Sequence, residues 1–325
     1  MALLLRKAGP SCLNISSPMA LSCLSRSPLA AGLAFSLATA PVYGGAPVEI
    51  HEPDELQASA AGSGQEGDKS RYHLFNPTPR ELMRPLSADR PDKIESPHTV
   101  DAGHFQIETD FASWTENWDG DERTRTWGGP TPNVKVGLLN NLDLEVSFDT
   151  FLSERGRNRA EQRSWKRSGV GDTEVRLKLN VLGNDEGRIA AAVLPYVHLP
   201  TSRTGLGSSR VEGGLILPLA VELPGGWDLG LQVAAHVVEG EESPGYEAQF
   251  DQAIGLGHDI VGKLAGYLEF YSAVPTEQGR GWVGTVDIGL TYKLTDDIQL
   301  DCGVNIGVSP AADDWNPSAG ITVRF

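Results

Sequence analysis

The stretch Ser318-Ala319-Gly320-Ile321-Thr322-Val323-Arg324-Phe325 alternates apolar and polar side chains without interruption. In a β-strand successive side chains point to opposite faces, so Ala319, Ile321, Val323 and Phe325 share one face and the polar residues share the other. Such a strand fits two settings, the wall of a closed barrel in a membrane or a half-buried edge strand of a soluble protein. The rest of the chain decides between them.

The same alternation recurs along the chain. Residues 142–149, 172–181 and 298–306 each place apolar side chains on one face and charged or polar side chains on the other. No comparable helical periodicity follows residue 100, so the pattern predicts an all-β chain. We predict twelve strands, at residues 103–114, 132–139, 142–151, 172–182, 188–199, 211–222, 227–238, 246–256, 263–273, 282–293, 298–307 and 318–325.

The predicted connections alternate in length. Five are short turns rich in Asn, Gly and Asp, at 140–141, 183–187, 224–226, 257–259 and 295–297. The others are longer, at 115–131, 152–171, 200–210, 239–245, 274–281 and 308–317. An even strand number with this alternation predicts a transmembrane antiparallel β-barrel of about twelve strands, with short periplasmic turns and longer extracellular loops. A soluble all-β periplasmic protein is the alternative fold.

The N-terminal region has the features of a secretory signal. Arg6, Lys7 and Arg26 precede a short apolar run, which ends in the small residues Ala38-Thr39-Ala40. We predict a signal peptide over residues 1–44, with Met19 as an alternative start. Residues 45–100 are predicted to form a flexible, proline-rich periplasmic lead-in, and residues 101–325 the barrel. This order predicts the outer membrane of a Gram-negative bacterium.

Composition narrows the partners. The formal net charge is −16, which argues against nucleic acid as a partner. Two of the three cysteines, Cys12 and Cys23, lie in the predicted signal peptide, so Cys302 has no partner for an internal disulfide. No apolar run is long enough for a spanning helix, so any membrane crossing is by strands. Lipid, lipopolysaccharide, a small solute and the barrel assembly machinery, which would bind the strand ending in Phe325, are the predicted partners.

Several segments resemble one family. They are Ala88-Asp89-Arg90-Pro91-Asp92, Glu95-Ser96-Pro97, Gly103-His104-Phe105-Gln106-Ile107-Glu108, Leu194 to Thr201 and Gly266 to Tyr271. They are similar to the transporter-like outer-membrane barrels named for the meta-pathway of phenol degradation, over about residues 85–325. Ala88 stands where that family usually has threonine. The resemblance implies a barrel that passes small molecules, aromatic or apolar ones among them, and it fixes no single solute.

Charged residues on the polar face are candidates for lining or gating the lumen. Arg90 is predicted to dock onto inward carboxylates such as Glu108 or Asp110 and to hold the lead-in as a plug or gate; the alternative is a solvated turn. Inward carboxylates favour cations or neutral solutes, although any wet lumen needs polar side chains. The full candidate set is Asp89, Arg90, Glu108, Asp110, Asp143, Glu145, Glu174, Glu269, Asp287 and Asp301.

The basic cluster in the predicted 152–171 loop is a candidate contact for lipopolysaccharide phosphates, because arginine binds phosphate with two parallel hydrogen bonds. A disordered charged loop is the alternative. The candidate residues are Arg155, Arg157, Arg159, Arg163, Lys166 and Arg167.

The sequence carries no catalytic or metal-binding motif, so we predict no catalytic residue, cofactor or metal. Ser208 or Ser209 with His198 is conceivable as a catalytic pair, but no third residue is indicated. The predicted function is a channel for the passive passage of a small solute. A barrel enzyme acting on lipid and a non-conducting structural barrel are the alternatives.

Overall fold

The computed structural model describes residues 68–203, 205–240 and 245–325. The predicted signal peptide and residues 45–67 of the lead-in lie outside the described residues. The described chain contains two single-turn 3-10 helices, Lys69–Arg71 and Arg80–Leu82. Neither of these helices is long and apolar enough to cross a membrane.

Fifteen strands follow the helices. They are β1 (Phe105–Asp119), β2 (Glu122–Gly128), β3 (Asn133–Leu139), β4 (Leu142–Phe148), β5 (Leu152–Asn158), β6 (Arg163–Gly169), β7 (Thr173–Leu182), β8 (Ile189–Leu199), β9 (Glu212–Leu223), β10 (Trp227–Glu239), β11 (Tyr246–Val261), β12 (Leu264–Pro275), β13 (Val283–Lys293), β14 (Ile298–Gly307) and β15 (Trp315–Arg324).

Twelve of these strands form a closed antiparallel ring. Each pairs with the next around the order β1, β3, β4 and then β7 to β15, and β15 pairs back with β1. Closure leaves no unpaired strand edge within a bilayer, where every backbone polar group needs a partner in the protein. The predicted twelve-stranded barrel is therefore confirmed, with strand ends within three residues of the prediction except at β1 and β11.

The two faces of the ring differ as the alternation predicts. Along β15, Gly320, Thr322 and Arg324 face inward and are buried, while Phe325 just beyond the strand is 65 % exposed. The outward face of the ring carries large apolar side chains in contact with the surroundings, among them Leu177, Leu179, Val233, Ile254, Leu268 and Ile288. This apolar outer surface suits contact with lipid tails.

Two of the long connections that were predicted as loops contain further strands in the structure. Residues 115–131 and 152–171 contribute the end of β1 and strands β2, β5 and β6, which pair side by side as a sheet that extends the ring beyond Gly128. The sequence of β5 and β6 hides this, because polar residues occupy both faces and no apolar alternation appears. The predicted turn at 257–259 is also wrong, since β11 runs to Val261 and turns at Gly262, whose φ is +60°.

Candidate functional site

The end of the described lead-in, from Arg84 onward, lies inside the barrel, against inward-facing side chains. The segment from Arg84 to Asp101 contacts residues of β1, β3, β4, β7, β10, β12, β13 and β14, which come from most of the ring. These contacts place the lead-in in the lumen. Eight of the ten candidate gating residues take part in them; Glu145 and Glu174 pair with wall cations instead.

Asp89 is the residue of this segment on which two buried lysines of the wall meet. Lys178 of β7 donates to both of its carboxylate oxygens at 2.9 Å, and Lys135 of β3 donates to one of them. The backbone N–H of Ser96 donates to the same carboxylate at 2.8 Å. Burial by itself raises the pKa of Asp89, but the two lysines together bring that pKa well below its usual value. Asp89 is therefore ionised and joins two wall strands.

Arg90 docks as predicted, on a slightly different pair of carboxylates. Its guanidinium lies 2.6 Å from Asp110 of β1 and 2.8 Å from Asp301 of β14, over Gly320, where a Cβ would overlap it. Glu108, the other predicted partner, instead pairs with Lys135 and accepts the backbone N–H of Asp89 at 3.0 Å.

The next residues bind β12 and β13, and Glu95 returns to β7. Lys93 Nζ lies 3.1 Å from Asp287 of β13, and the backbone N–H of Ile94 donates to Glu269 of β12 at 3.0 Å. Glu95 pairs with Arg176 of β7 at 2.5 Å. The lead-in thus meets carboxylates with its cations and backbone N–H groups, and meets cations with its carboxylates.

The last part of the segment packs against the turn ends of the wall. The backbone N–H of Val100 donates to Asp143 of β4 at 2.9 Å. A Cβ at Gly137 of β3 would overlap the carbonyl oxygen of Asp101, so glycine at this inward position lets the two backbones approach.

The inward carboxylates are already paired in this arrangement. Glu145 lies 2.9 Å from Lys178, and Glu174 pairs with Arg176 and lies 3.6 Å from the ring of His198, without touching the lead-in. A cation preference of the lumen therefore stays a prediction, because the acidic charge faces protein cations here.

Three lumen cations have decisive contacts, and none was among the candidate residues. Lys135, Arg176 and Lys178 are each at least 94 % buried and join the lead-in to β3 and β7. All three lie at inward positions of predicted strands, so the alternation that selected the carboxylates also marks them. On the wall strands the candidate set contains only carboxylates, and for that reason it lacks these three cations.

One cluster has the composition of a metal site. Ligand oxygens of Asp89, Glu95 and Glu145 lie within 4.8 Å of one another and are buried. Lys135, Lys178 and Arg176 already neutralise these three carboxylates, so an added cation would meet positive charge on the same oxygens.

The conceivable serine–histidine pair has other partners. The Ser208 hydroxyl donates to Glu212 at 2.9 Å, and the Ser209 hydroxyl donates to Glu239. His198 lies 3.2 Å from Asp172. The geometry gives neither serine an adjacent imidazole base.

A cavity of about 350 Å³ lies between the lead-in and the opposite wall. Ile94 and His98 border it from the lead-in. The wall contributes small inward residues and one tyrosine, namely Ala190, Ala220, Gly230, Gly255 and Tyr267. The Tyr267 hydroxyl is buried without a hydrogen-bond partner among the described residues. The ion pairs thus hold one side of the lumen, and small side chains leave space on the other.

Among solved structures, the chain is similar to the COG4313 outer-membrane channel from Pseudomonas putida F1, with 14 % identity and a TM-score of 0.48, over 68 % of this chain and 93 % of that one. It is also similar to the NanC porin, with 9 % identity and a TM-score of 0.42, over 67 % and 98 %. The translocator domain of the autotransporter NalP from Neisseria meningitidis shows 10 % identity and a TM-score of 0.44, over 68 % and 88 %.

A search of the curated proteins finds no match to this chain. A family model does match it, over residues 88–325, which span the end of the lead-in and the whole barrel. The family is described as "Putative MetA-pathway of phenol degradation", and the matched region begins one residue before Asp89. The chain belongs to this family.

Proposed function

We propose that the protein is a channel in the outer membrane of a Gram-negative bacterium, which passes a small solute passively and is gated by its lead-in. The observation that carries this proposal is the set of ion pairs that Asp89, Arg90, Lys93 and Glu95 make with β1, β3, β7, β13 and β14. A segment so placed narrows any path along the axis. Ion pairs, hydrogen bonds and apolar packing around Ile94 hold the segment in place. None of these contacts belongs to the barrel's own ladder, so the segment is able to leave without breaking it.

The cavity beside the lead-in supports the route. Small residues form part of its wall, and its volume of about 350 Å³ is at the small end of ligand pockets. Solute would enter beside β8 to β12, where the cavity already provides space. The family description concerns phenol degradation, so small aromatic molecules are the first solutes to test. The apolar contact offered by Ile94 and the free hydroxyl of Tyr267 suit such a ring with a polar substituent.

A reversible lock tests the gate. An ideal Cβ on Gly230 lies 3.9 Å from the Cβ of Ile94, within the range of about 3.5–4.5 Å that a disulfide requires. We would prepare Ile94→Cys/Gly230→Cys in a chain that starts at residue 45 and carries Cys302→Ser. Each single cysteine variant is the matched control, and a variant lacking residues 45–100 shows the barrel without its lead-in.

Conductance in planar bilayers gives the readout. We expect the oxidised double variant to stay closed, the reduced form to open as the controls do, and the truncated barrel to conduct most. Equal conductance of the oxidised and reduced forms would rule out gating by the lead-in. Silence of every form, from protein shown to be folded and inserted, would contradict the channel itself and turn attention to lipid hydrolysis or a structural role.

Recognition of the last strand by the assembly machinery stays a proposal. In support, the backbone of Phe325 exchanges two hydrogen bonds with Phe105 at the seam of the barrel, and its side chain is left 65 % exposed. An exposed aromatic side chain at the closing strand is available to a binding partner.

A further inference from the structure

The sheet that extends β1 carries an unusual row of positive charge on its outer face. Glu116 lies opposite Trp315 in the register of β1 and β15, so it shares the lipid-facing side of the barrel. Side chains two residues apart on a strand share a face, and residues directly opposite each other on neighbouring strands do so as well. The pairing of β1 with β2, of β2 with β5 and of β5 with β6 therefore identifies the residues of the extension that lie on this outer face. The basic residues on this face are Arg123, Arg125, Arg155, Arg157 and Lys166.

The register sets like charges directly opposite one another. Arg125 pairs with Arg155, and Arg155 pairs with Lys166, so three cations lie side by side across about 10 Å of sheet. Arg123 faces Arg157 in the next row. Like charges in directly opposed positions destabilise a sheet. Such an arrangement persists most readily where an external anion neutralises it.

Protein carboxylates neutralise only part of this charge. Arg123 pairs with Glu116, and Arg125 lies 3.5 Å from the same carboxylate. Within the described residues, no carboxylate forms an ion pair with the exposed side chains of Arg155, Arg157 or Lys166. The opposite face of the same strands is different, because Arg167 there pairs with Glu154 at 2.7 Å.

The position of the cations identifies the anion. Directly below them on the same face, Trp127 is 44 % exposed and packs edge-on against the exposed ring of Phe151, 5.5 Å away between ring centroids. Lower still, Phe111 is 54 % exposed on β1. Aromatic side chains of a barrel lie at the membrane interface, so the cations just above them are level with the lipid headgroups of the outer leaflet.

We propose that this face binds the phosphates of lipopolysaccharide, through Arg125, Arg155 and Lys166 in one row and Arg123 and Arg157 in the next. The guanidinium groups offer paired donors to phosphate oxygens, and three adjacent cations match a doubly phosphorylated headgroup. Of the six residues predicted from sequence, Arg155, Arg157 and Lys166 belong to the site. Arg163 and Arg167 lie on the other face, and Arg159 stacks over Trp118, with 5.2 Å from its guanidinium carbon to the ring centroid.

The test uses the full-length chain folded in zwitterionic detergent and follows its thermal unfolding midpoint. Bisphosphorylated lipid A, the same lipid without phosphates, and inorganic phosphate are added separately. The variant Arg125→Gln/Arg155→Gln/Lys166→Gln removes the first row. The matched control, Arg80→Gln/Arg163→Gln/Lys263→Gln, removes three cations located elsewhere.

We expect bisphosphorylated lipid A to raise the midpoint of the wild type and of the control, and to bind the row variant at least tenfold more weakly. Without lipid, the row variant should unfold at the same or a higher temperature, because repulsion is relieved. A lipid-induced shift that survives in the row variant, or that needs no lipid phosphate, would overturn the proposal. So would an equal shift from inorganic phosphate, or a row variant that is less stable without lipid.

Discussion

At the scale of single residues, Asp89 is the buried carboxylate through which the lead-in meets two cations of the wall. Its carboxylate is held by two lysines that are themselves 98 % or more buried, so each charge depends on the others for compensation. Buried ion pairs add little net stability, but removing one partner leaves an uncompensated charge. The seated lead-in is therefore sensitive to a single substitution here.

Asp89→Asn is expected to unseat the lead-in. Loss of one partner of a buried charge pair costs about 3–5 kcal/mol, and here the cost falls on the contact between segment and wall. Single-channel recording should show a higher open probability than in the wild type. Glu81→Gln, an exposed carboxylate of the same lead-in, is the control and should behave as the wild type. An unchanged open probability in Asp89→Asn would contradict the role assigned to this residue.

His98 makes the seated lead-in sensitive to acid. Burial lowers its pKa below the ordinary 6.5, and Arg84 and Lys178 lower it further, against the hydrogen bond to the Asn184 carbonyl. In the seated state the imidazole binds a proton less readily than a free histidine does. Protonation as the pH falls below the ordinary pKa therefore destabilises the seated state, and above that pKa the seated state is favoured. We therefore expect open probability to rise as the pH is lowered from about 7.5 to about 5.5.

The His98→Asn variant checks this assignment, since asparagine keeps a hydrogen-bonding group and does not titrate. Its open probability should change less over the same pH range. A rise as steep as that of the wild type would assign the pH response to other groups.

At the scale of elements, glycines on the inner wall show how the strands accommodate the lead-in. Gly230 and Gly255 face Ile94, with 3.2 Å and 3.1 Å between an ideal Cβ and its Cδ1, and Gly137 faces the backbone of Asp101. Glycine weakens a strand, so inward glycines at these positions indicate close approach of another chain segment. From the sequence alone they were ordinary strand interruptions, because nothing local shows what lies opposite.

Gly137→Ala is expected to displace the end of the lead-in, since backbone cannot yield as a flexible side chain does. Limited trypsin digestion should then cut more rapidly after Lys93, as detected by mass spectrometry. Gly257→Ala is the matched control, because its new methyl group would meet its nearest neighbour at an ordinary 3.8 Å. Equal cleavage in both variants would show that the lead-in is not packed against Gly137.

At the scale of the whole molecule, the barrel and its contents follow different rules. The twelve strands close into a ring because unpaired backbone polar groups at an open sheet edge are unfavourable in lipid. Strands with one face toward lipid and the other toward the lumen show a side-chain period of two, which is visible in the sequence. The contents of the lumen are set by pairings over long separations, such as Arg90 with Asp301. Such pairings leave no local pattern.

The sequence by itself determined the all-β class, the twelve wall strands and their inner and outer faces, because each depends on local alternation. Only the tertiary structure decided which charges meet. It placed Lys135 and Lys178 on Asp89, and it set Arg125, Arg155 and Lys166 side by side on the outer face. Register and closure fix these contacts, and a difference of one residue in register would turn every side chain to the other face.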